Sequence, residues 1–140
     1  MKLVLDTNIL ISALIKKSIT RELLVHPDVE YLVPDFALEE IEANKKEILE
    51  KSMLSEEEFQ LLIFQIQNNL SVIPAENIKH KEQAENIMDA IDPDDTIFIA
   101  LALSVENAGI WSQDAHFEKQ KVIKIWKTED LVKYLGVEHQ

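Results

Sequence analysis

The chain has 140 residues, 46% of them hydrophobic and 29% charged, which suffices for one domain with its own core. It contains no cysteine, which excludes disulfides, thiolate zinc sites and cysteine nucleophiles. Its net charge of −12, with Arg21 as the only arginine, argues against the basic surface typical of nucleic-acid binders. No apolar run approaches the roughly 20 residues that span a bilayer. We therefore expect a single cytoplasmic domain over residues 1–140, with no membrane segment.

In the first third of the chain, short apolar runs typical of strands alternate with segments whose apolar residues have helical spacing. Lys2–Asp6 is predicted as a buried strand that ends in an acid. Helices are predicted over Asn8–Lys16 and Thr20–Val25, and a second strand over Glu30–Val33. A long helix then begins at Pro34-Asp35 and runs to about residue 51. Its expected inward-facing residues are Phe36, Leu38, Ile41 and Ile48.

The middle of the chain is predicted to be mostly helical. A capping box at Ser55–Glu58 opens a helix that continues to about Asn69. Val72–Ile73 is a brief third strand, and a helix with one polar face follows over Asn77–Ile91. The helix predicted over Asp95–Val105 is apolar all round, which indicates burial in the middle of the domain.

The last segment predicts two more strands and a closing helix. Gly109–Ser112 is the fourth strand and is followed by a turn and a short helix. Val122–Trp126 is the fifth strand, and Thr128 is expected to cap a helix that ends near Tyr134. Strands that alternate with helices predict a three-layer α/β/α domain with a mostly parallel sheet of about five short strands.

Four acids lie where such a sheet would bring them together. In an open parallel sheet, the loops that leave the carboxyl ends of the strands meet in one crevice. Asp6 ends the first strand and Asp114 follows the fourth. Asp95 begins the apolar helix, and Glu40 lies in the second turn of the helix after the second strand. Each acid also has an ordinary interpretation, as a helix cap, a turn residue or part of a solvated helix face.

Converging carboxylates predict a cation site. Two unit charges about 5 Å apart repel by roughly 3 kcal/mol at an effective dielectric near 20, so crowded carboxylates either protonate or recruit cations. A site of oxygen ligands suits Mg²⁺ or Mn²⁺ better than Zn²⁺. Such an ion can bridge a phosphodiester and activate a water molecule.

Several neighbours of these acids could assist. Asn8 could position a ligand or a water, Ser112 could orient Asp114 or a phosphate oxygen, and Asp92 could add negative charge. A helix cap, a surface serine and a loop acid are the ordinary interpretations of the same residues. The four histidines are not spaced as metal ligands and are interpreted as surface residues: His26, His80, His116 and His139. Of these, only His116 is expected near the crevice.

Four short motifs together resemble the PIN-domain family. Val4–Ser12 is similar to the opening strand of that family, where an Asp-Thr-Asn turn supplies the first acid. Glu39–Ile41 resembles the second acidic motif, with Glu40 as the matching residue. Asp92–Thr96 resembles the third and Trp111–Asp114 the fourth, with Asp95 and Asp114 as the matching acids. The motifs follow the family's order over roughly residues 2–135.

This resemblance implies a metal-dependent ribonuclease. The leading hypothesis is an endoribonuclease that hydrolyses single-stranded RNA with a metal-activated water and leaves a 3′-hydroxyl and a 5′-phosphate. The metal-binding and catalytic residues that it implies are Asp6, Glu40, Asp95 and Asp114. The family is often dimeric, and many small prokaryotic members are VapC-type toxins held in check by an antitoxin protein. Basic residues that could guide RNA toward the crevice are Lys16, Lys17, Arg21, Lys45 and Lys46.

Other functions remain open or have little support. A non-catalytic PIN-like protein-interaction module is the main alternative, and the strong negative charge favours it. A response-regulator receiver needs paired acids near the first strand, and a haloacid-type phosphatase needs Asp-x-Asp there. The sequence Asp6-Thr7-Asn8 supplies one acid only.

Overall fold

The computed structural model describes residues 1–138, and His139, interpreted above as a surface residue, lies outside them. Within that range a parallel sheet of five strands has the order β3-β2-β1-β4-β5. The predicted parallel α/β architecture is thus confirmed. The strands are β1 (Lys2–Leu5), β2 (Glu30–Pro34), β3 (Leu70–Ile73), β4 (Ile110–Trp111) and β5 (Ile125–Trp126).

Helices cover both faces of this sheet. None that the structure describes is long and apolar enough to cross a bilayer. Short 3₁₀ turns occupy Ala75–Asn77, Pro93–Asp95 and Ala115–Lys119. The α-helices are α1 (Thr7–Ile15), α2 (Ile19–Leu24), α3 (Asp35–Ala43), α4 (Lys45–Ser52), α5 (Glu56–Gln67), α6 (Lys81–Met88), α7 (Thr96–Ser104) and α8 (Thr128–Leu135).

The sheet separates two apolar cores because successive side chains of a strand point to opposite faces. Leu3 and Leu5 of β1 pack with α1 to α5 and α8, whereas Val4 packs with α6 and α7. Residues 98–102 of α7 are all buried, as its apolar sequence predicts. Each fully buried aliphatic side chain contributes about 1.5–3 kcal/mol to folding. The two cores therefore hold the loops at the carboxyl edge of the sheet in fixed positions.

The single helix predicted from Pro34 to about residue 51 is wrong, because the chain forms α3 and α4 with a break at Asn44. Asn44 has φ −100° and ψ 5°, outside helical geometry. Its side-chain Nδ2 donates to the Glu40 carbonyl oxygen at 2.7 Å, which competes with the helix backbone. Two predicted inward residues are also wrong, since Phe36 is 43% and Leu38 36% exposed.

One other predicted helix start and one predicted helix cap are wrong. The helix expected over Asn77–Ile91 begins only at Lys81, because His80 takes a left-handed conformation with φ 58°. Thr128 does not cap α8: its Oγ1 accepts from Trp111 Nε1 at 3.1 Å instead. At the start of α8, the Asp130 carboxylate accepts a hydrogen bond from the Lys127 backbone N–H at 2.9 Å.

Strand β5 is shorter than the predicted Val122–Trp126. At Val122 and Ile123, the backbone forms hydrogen bonds with the buried Gln120 side chain instead of with a neighbouring strand. Gln120 is 7% exposed, and its Nε2 donates to the carbonyl oxygens of Phe117 and Ile123. Its Oε1 accepts from the backbone N–H groups of Val122 and Ile123. This side chain thereby fixes the loop that leads from the candidate site into β5.

Candidate metal centre

A cavity of about 460 Å³ opens at the carboxyl edge of the sheet, where β1, β2 and β4 end. All four carboxylates predicted from the sequence line it, together with two of the three predicted auxiliary residues. Its lining residues are Asp6, Thr7, Asn8, Phe36, Glu40, Asp92, Asp94, Asp95, Phe98 and Asp114. The topology therefore brings acids from four distant segments to one cavity.

Asp6 is both a helix cap and a member of the cavity. Its Oδ1 accepts from the Asn8 backbone N–H at 3.1 Å, and its Oδ2 accepts from Ser112 Oγ at 2.7 Å. The side chain is almost fully buried. Burial raises the pKa of Asp6, the bonds from Ser112 and Asn8 lower it, and Asp114 raises it again. Asp6 therefore caps α1 and also lines the cavity.

Ser112 joins the end of β1 to the loop that follows β4. Its fully buried hydroxyl donates to Asp6 and accepts from the Asp114 backbone N–H at 3.0 Å. The Asp114 Oδ1 in turn accepts from the His116 backbone N–H at 2.9 Å. One hydroxyl thus orients two of the predicted acids relative to each other.

The Ser112→Ala substitution is expected to lower the free energy of unfolding by about 1–3 kcal/mol, because it leaves a buried acceptor and a buried donor without their partner. Urea unfolding followed by circular dichroism measures this loss. The exposed Ser12 provides the control, since Ser12→Ala is expected to change stability by less than about 0.5 kcal/mol. Equal unfolding free energies for the two variants would contradict the bridging role.

Asp95 is buried in front of α7 and does not act as its cap. Its side chain makes no capping hydrogen bond; the neighbouring Asp92 accepts from the Asp94 backbone N–H instead. Asp95 Oδ2 is buried and has no hydrogen-bond partner among residues 1–138. Burial, then Asp114, Asp92 and Asp6, raise the pKa of Asp95 to about 7, while His116 opposes the shift. The ordinary capping interpretation of this carboxylate is therefore wrong.

Glu40 reaches the cavity from α3, whereas the adjacent Glu39 is exposed. Burial raises the pKa of Glu40, the nearby Thr7 hydroxyl lowers it, and Asp6 and Asp94 raise it further. The Thr7 hydroxyl is itself buried, with no hydrogen bond of ordinary geometry to any residue that the structure describes. Of the adjacent Glu39 and Glu40, it is thus Glu40 whose pKa is raised by repulsion from other carboxylates.

His116 lies among the acids. From the sequence it is interpreted as a surface residue, but one of its ring nitrogens is buried. The imidazole is 43% exposed, but its Nδ1 is buried. Nδ1 lies 3.0 Å from Asp92 Oδ2, 3.3 Å from Asp114 Oδ1 and 3.9 Å from Asp95 Oδ2. Ligand atoms of these four residues all lie within 4.8 Å of one another. The sequence signal was the position of His116 two residues after a predicted ligand.

The residues present fit a divalent cation. Asp95 Oδ2 and His116 Nδ1 are both buried without hydrogen-bond partners in the described part of the chain, and both belong to the same cluster. Leaving such atoms unpaired costs free energy, and a cation placed between them would remove that cost. Carboxylate oxygens are the ligands that Mg²⁺ and Mn²⁺ prefer.

The five basic residues predicted to guide RNA do not line this cavity. Lys16, Lys17 and Lys46 are exposed and free to contact a polyanion. Arg21 instead donates to the Ala13 and Leu14 carbonyl oxygens at the end of α1. Lys45 pairs with Glu56 and lies 5.7 Å from the centre of the Phe59 ring. Two of the five therefore have structural contacts in place.

Comparison with protein families matches residues 4–136 to the family described as PIN domain. Comparison with curated proteins gives no significant match. The family match extends over nearly all of the sheet and includes each of the acids in the cavity. The chain belongs to the PIN-domain family.

Proposed function

We propose that this protein is a metal-dependent endoribonuclease that hydrolyses single-stranded RNA to products with a 3′-hydroxyl and a 5′-phosphate. PIN domains are generally nucleases that act on RNA. The observation that carries the proposal is the buried, unpartnered Asp95 carboxylate oxygen in a cavity that three further predicted acids line. A purely structural carboxylate would have a hydrogen-bond partner there.

Asp6, Glu40, Asp95 and Asp114 would hold Mg²⁺ or Mn²⁺. When bound, such a cation supplies a Lewis acid that neutralises phosphodiester charge and makes water more acidic. Ser112 and the Asn8 backbone N–H hold Asp6 in one orientation. Because these hydrogen bonds already hold Asp6 in place, it need not reorganise when the phosphodiester enters.

Cleavage of single-stranded RNA by the purified protein tests the proposal. We expect a 5′-labelled oligoribonucleotide to be cut with Mn²⁺ or Mg²⁺ and to stay intact with EDTA. The Glu40→Gln variant should lose about 10²-fold in rate, as expected for a group that stabilises the transition state electrostatically. Glu39→Gln, on the exposed neighbour, should keep the wild-type rate. The absence of metal-dependent cleavage would favour the alternative of a non-catalytic interaction module.

Phe36 supports an unpaired nucleic acid as the substrate. It is 43% exposed and lines the acidic cavity, so that an aromatic face is available beside the carboxylates. Stacking of a nucleobase on an aromatic side chain is worth about 1–3 kcal/mol, and a base within a duplex is not available for it.

The Phe36→Ala substitution is expected to lower kcat/KM for single-stranded RNA about tenfold, mainly through KM, because one stacking contact is lost. Steady-state cleavage of a short fluorogenic oligoribonucleotide measures the effect. Leu38 provides the control, since it is exposed on the same helix and does not line the cavity. An equal effect of Leu38→Ala would show that Phe36 contributes only apolar surface.

A homodimer and an antitoxin partner also belong to the proposal. The outer face of α5 carries an apolar groove that includes Leu61 and Phe64, which are 66% and 67% exposed. Exposed apolar patches of this kind commonly mark protein contacts. A toxin role within a toxin–antitoxin pair is consistent with such a contact surface.

A further inference from the structure

We propose that His116 is a metal ligand, which together with Asp92, Asp95 and Asp114 makes a nitrogen-containing cation site that prefers Mn²⁺ to Mg²⁺. The inference rests on the cation site of the proposed function and adds to it a ligand and a metal preference. It assigns Asp92 to direct metal contact as well, where the sequence predicts only an auxiliary role.

Three carboxylate oxygens lie close enough to His116 Nδ1 to share one cation with it. An octahedral cation with bonds of about 2.1 Å holds neighbouring ligand atoms about 3.0 Å apart and opposite ones about 4.2 Å apart. His116 Nδ1 is 3.0 Å from Asp92 Oδ2 and 3.3 Å from Asp114 Oδ1, as neighbours would be. Its distance of 3.9 Å to Asp95 Oδ2 lies between the two values. All three distances are shorter than the span of about 4.2 Å across such an ion, so each of the three carboxylate oxygens can share a cation with Nδ1.

Hydrogen bonding does not explain these contacts. A hydrogen bond weakens steeply when the angle at the proton falls below about 120°. Despite its short distances, His116 Nδ1 has no hydrogen-bond partner within the described residues, and neither has Asp95 Oδ2. With Nδ1 unprotonated, both buried atoms carry lone pairs, and they lie 3.9 Å apart with no proton donor between them. A cation that accepts electron pairs from both would satisfy them together.

The surrounding structure holds the imidazole in this place. The Asp114 carboxylate accepts from the His116 backbone N–H, which folds the chain back toward the acids. The next residue, Phe117, is fully buried and packs edge-on against Phe98 of α7, with ring centres 6.3 Å apart. Phe98 lies one helical turn after Asp95, so this aromatic contact fixes His116 beside that carboxylate.

An imidazole ligand changes which cation the site prefers. Mg²⁺ is a hard ion that binds oxygen and keeps much of its water, whereas Mn²⁺ accepts imidazole nitrogen more readily. Replacing one oxygen by Nδ1 therefore favours Mn²⁺ in competition with Mg²⁺. Removal of the nitrogen should reduce this preference without removing the carboxylates.

Pulsed electron paramagnetic resonance of Mn²⁺ bound to the full chain tests the proposal, because a directly bound imidazole modulates the echo through its ¹⁴N nucleus. We expect this modulation in the wild type and in the control His80→Asn, whose exposed histidine lies away from the cavity. His116→Asn should lose it. The Mn²⁺ affinity of that variant should fall about tenfold, with a change below threefold for Mg²⁺, while its thermal unfolding without metal stays cooperative.

Three results would overturn the assignment. Mn²⁺ that binds and supports RNA cleavage without ¹⁴N modulation would refute His116 as a ligand and leave the proposed nuclease function intact. Modulation that persists in His116→Asn would assign the nitrogen to another residue. A failure of the wild type to bind Mn²⁺ at all would refute both the ligand assignment and the proposed function.

Discussion

The Asp95→Asn variant is expected to lose Mn²⁺ binding in the acidic cavity and, with it, about 10²–10³-fold of the RNA cleavage rate. Asparagine keeps the shape of the side chain but removes the negative charge from a buried oxygen that has no partner elsewhere in residues 1–138. Asp95 also belongs to the cluster with His116, and its pKa is raised by the negative charges of Asp114, Asp92 and Asp6. One substitution therefore weakens the whole ligand set.

Glu106→Gln provides the matched control for Asp95→Asn. It also removes one negative charge, but Glu106 is exposed in the loop before β4 and does not line the cavity. Single-turnover cleavage of labelled RNA should be unchanged in this control. An Asp95→Asn variant that cleaves RNA at the rate of the Glu106→Gln control would exclude Asp95 from the catalytic machinery.

Without metal, the protein is expected to become less stable as the pH rises from about 4 to about 7. Burial and neighbouring acids raise the pKa of Asp95 to about 7 from 3.8, so across this window the folded state holds a proton that the unfolded state has released. The free energy of unfolding then falls with pH and levels off above the folded-state pKa. For Asp95 alone the loss is at most roughly 4 kcal/mol. The raised pKa values of Asp6 and Glu40 act in the same direction.

Urea unfolding in EDTA at pH 5 and pH 8 measures this loss of stability. The Asp95→Asn variant should show a smaller difference between the two pH values, because its amide does not titrate. Addition of Mn²⁺ at pH 8 should restore stability to the wild type and much less to the variant. A wild-type protein that gains stability between pH 5 and pH 8 without metal would contradict a crowded, repulsive cavity.

The sheet and the meeting of the four acids could be predicted because they follow from general rules. The apolar run before Asp6 and the nearly all-apolar segment after Asp95 indicate buried elements from composition alone. Parallel strands end at one edge, so acids that follow strands converge whatever the intervening loops do. The position of Asp114 after β4 follows from the same rule.

Other features depend on contacts that leave little trace in the sequence. The Nδ1 of His116 approaches Asp92 and Asp95 only because the loop after β4 folds against the start of α7. Phe36 is exposed because Ala37 and Ile41, one helical turn apart, form the buried face of α3, and Phe36 lies beside that face. Its apolar character alone assigns Phe36 to the core, whereas helical spacing from Ile41 selects Ala37.

Calorimetric titration of the metal-free protein with Mn²⁺ tests most directly whether these acids form a cation site. We predict heat of binding in the wild type and in Glu106→Gln, and none above dilution in Asp95→Asn. Uptake of Mn²⁺ that is the same in all three proteins, or absent from the wild type, would contradict a metal centre at the carboxyl edge of the sheet.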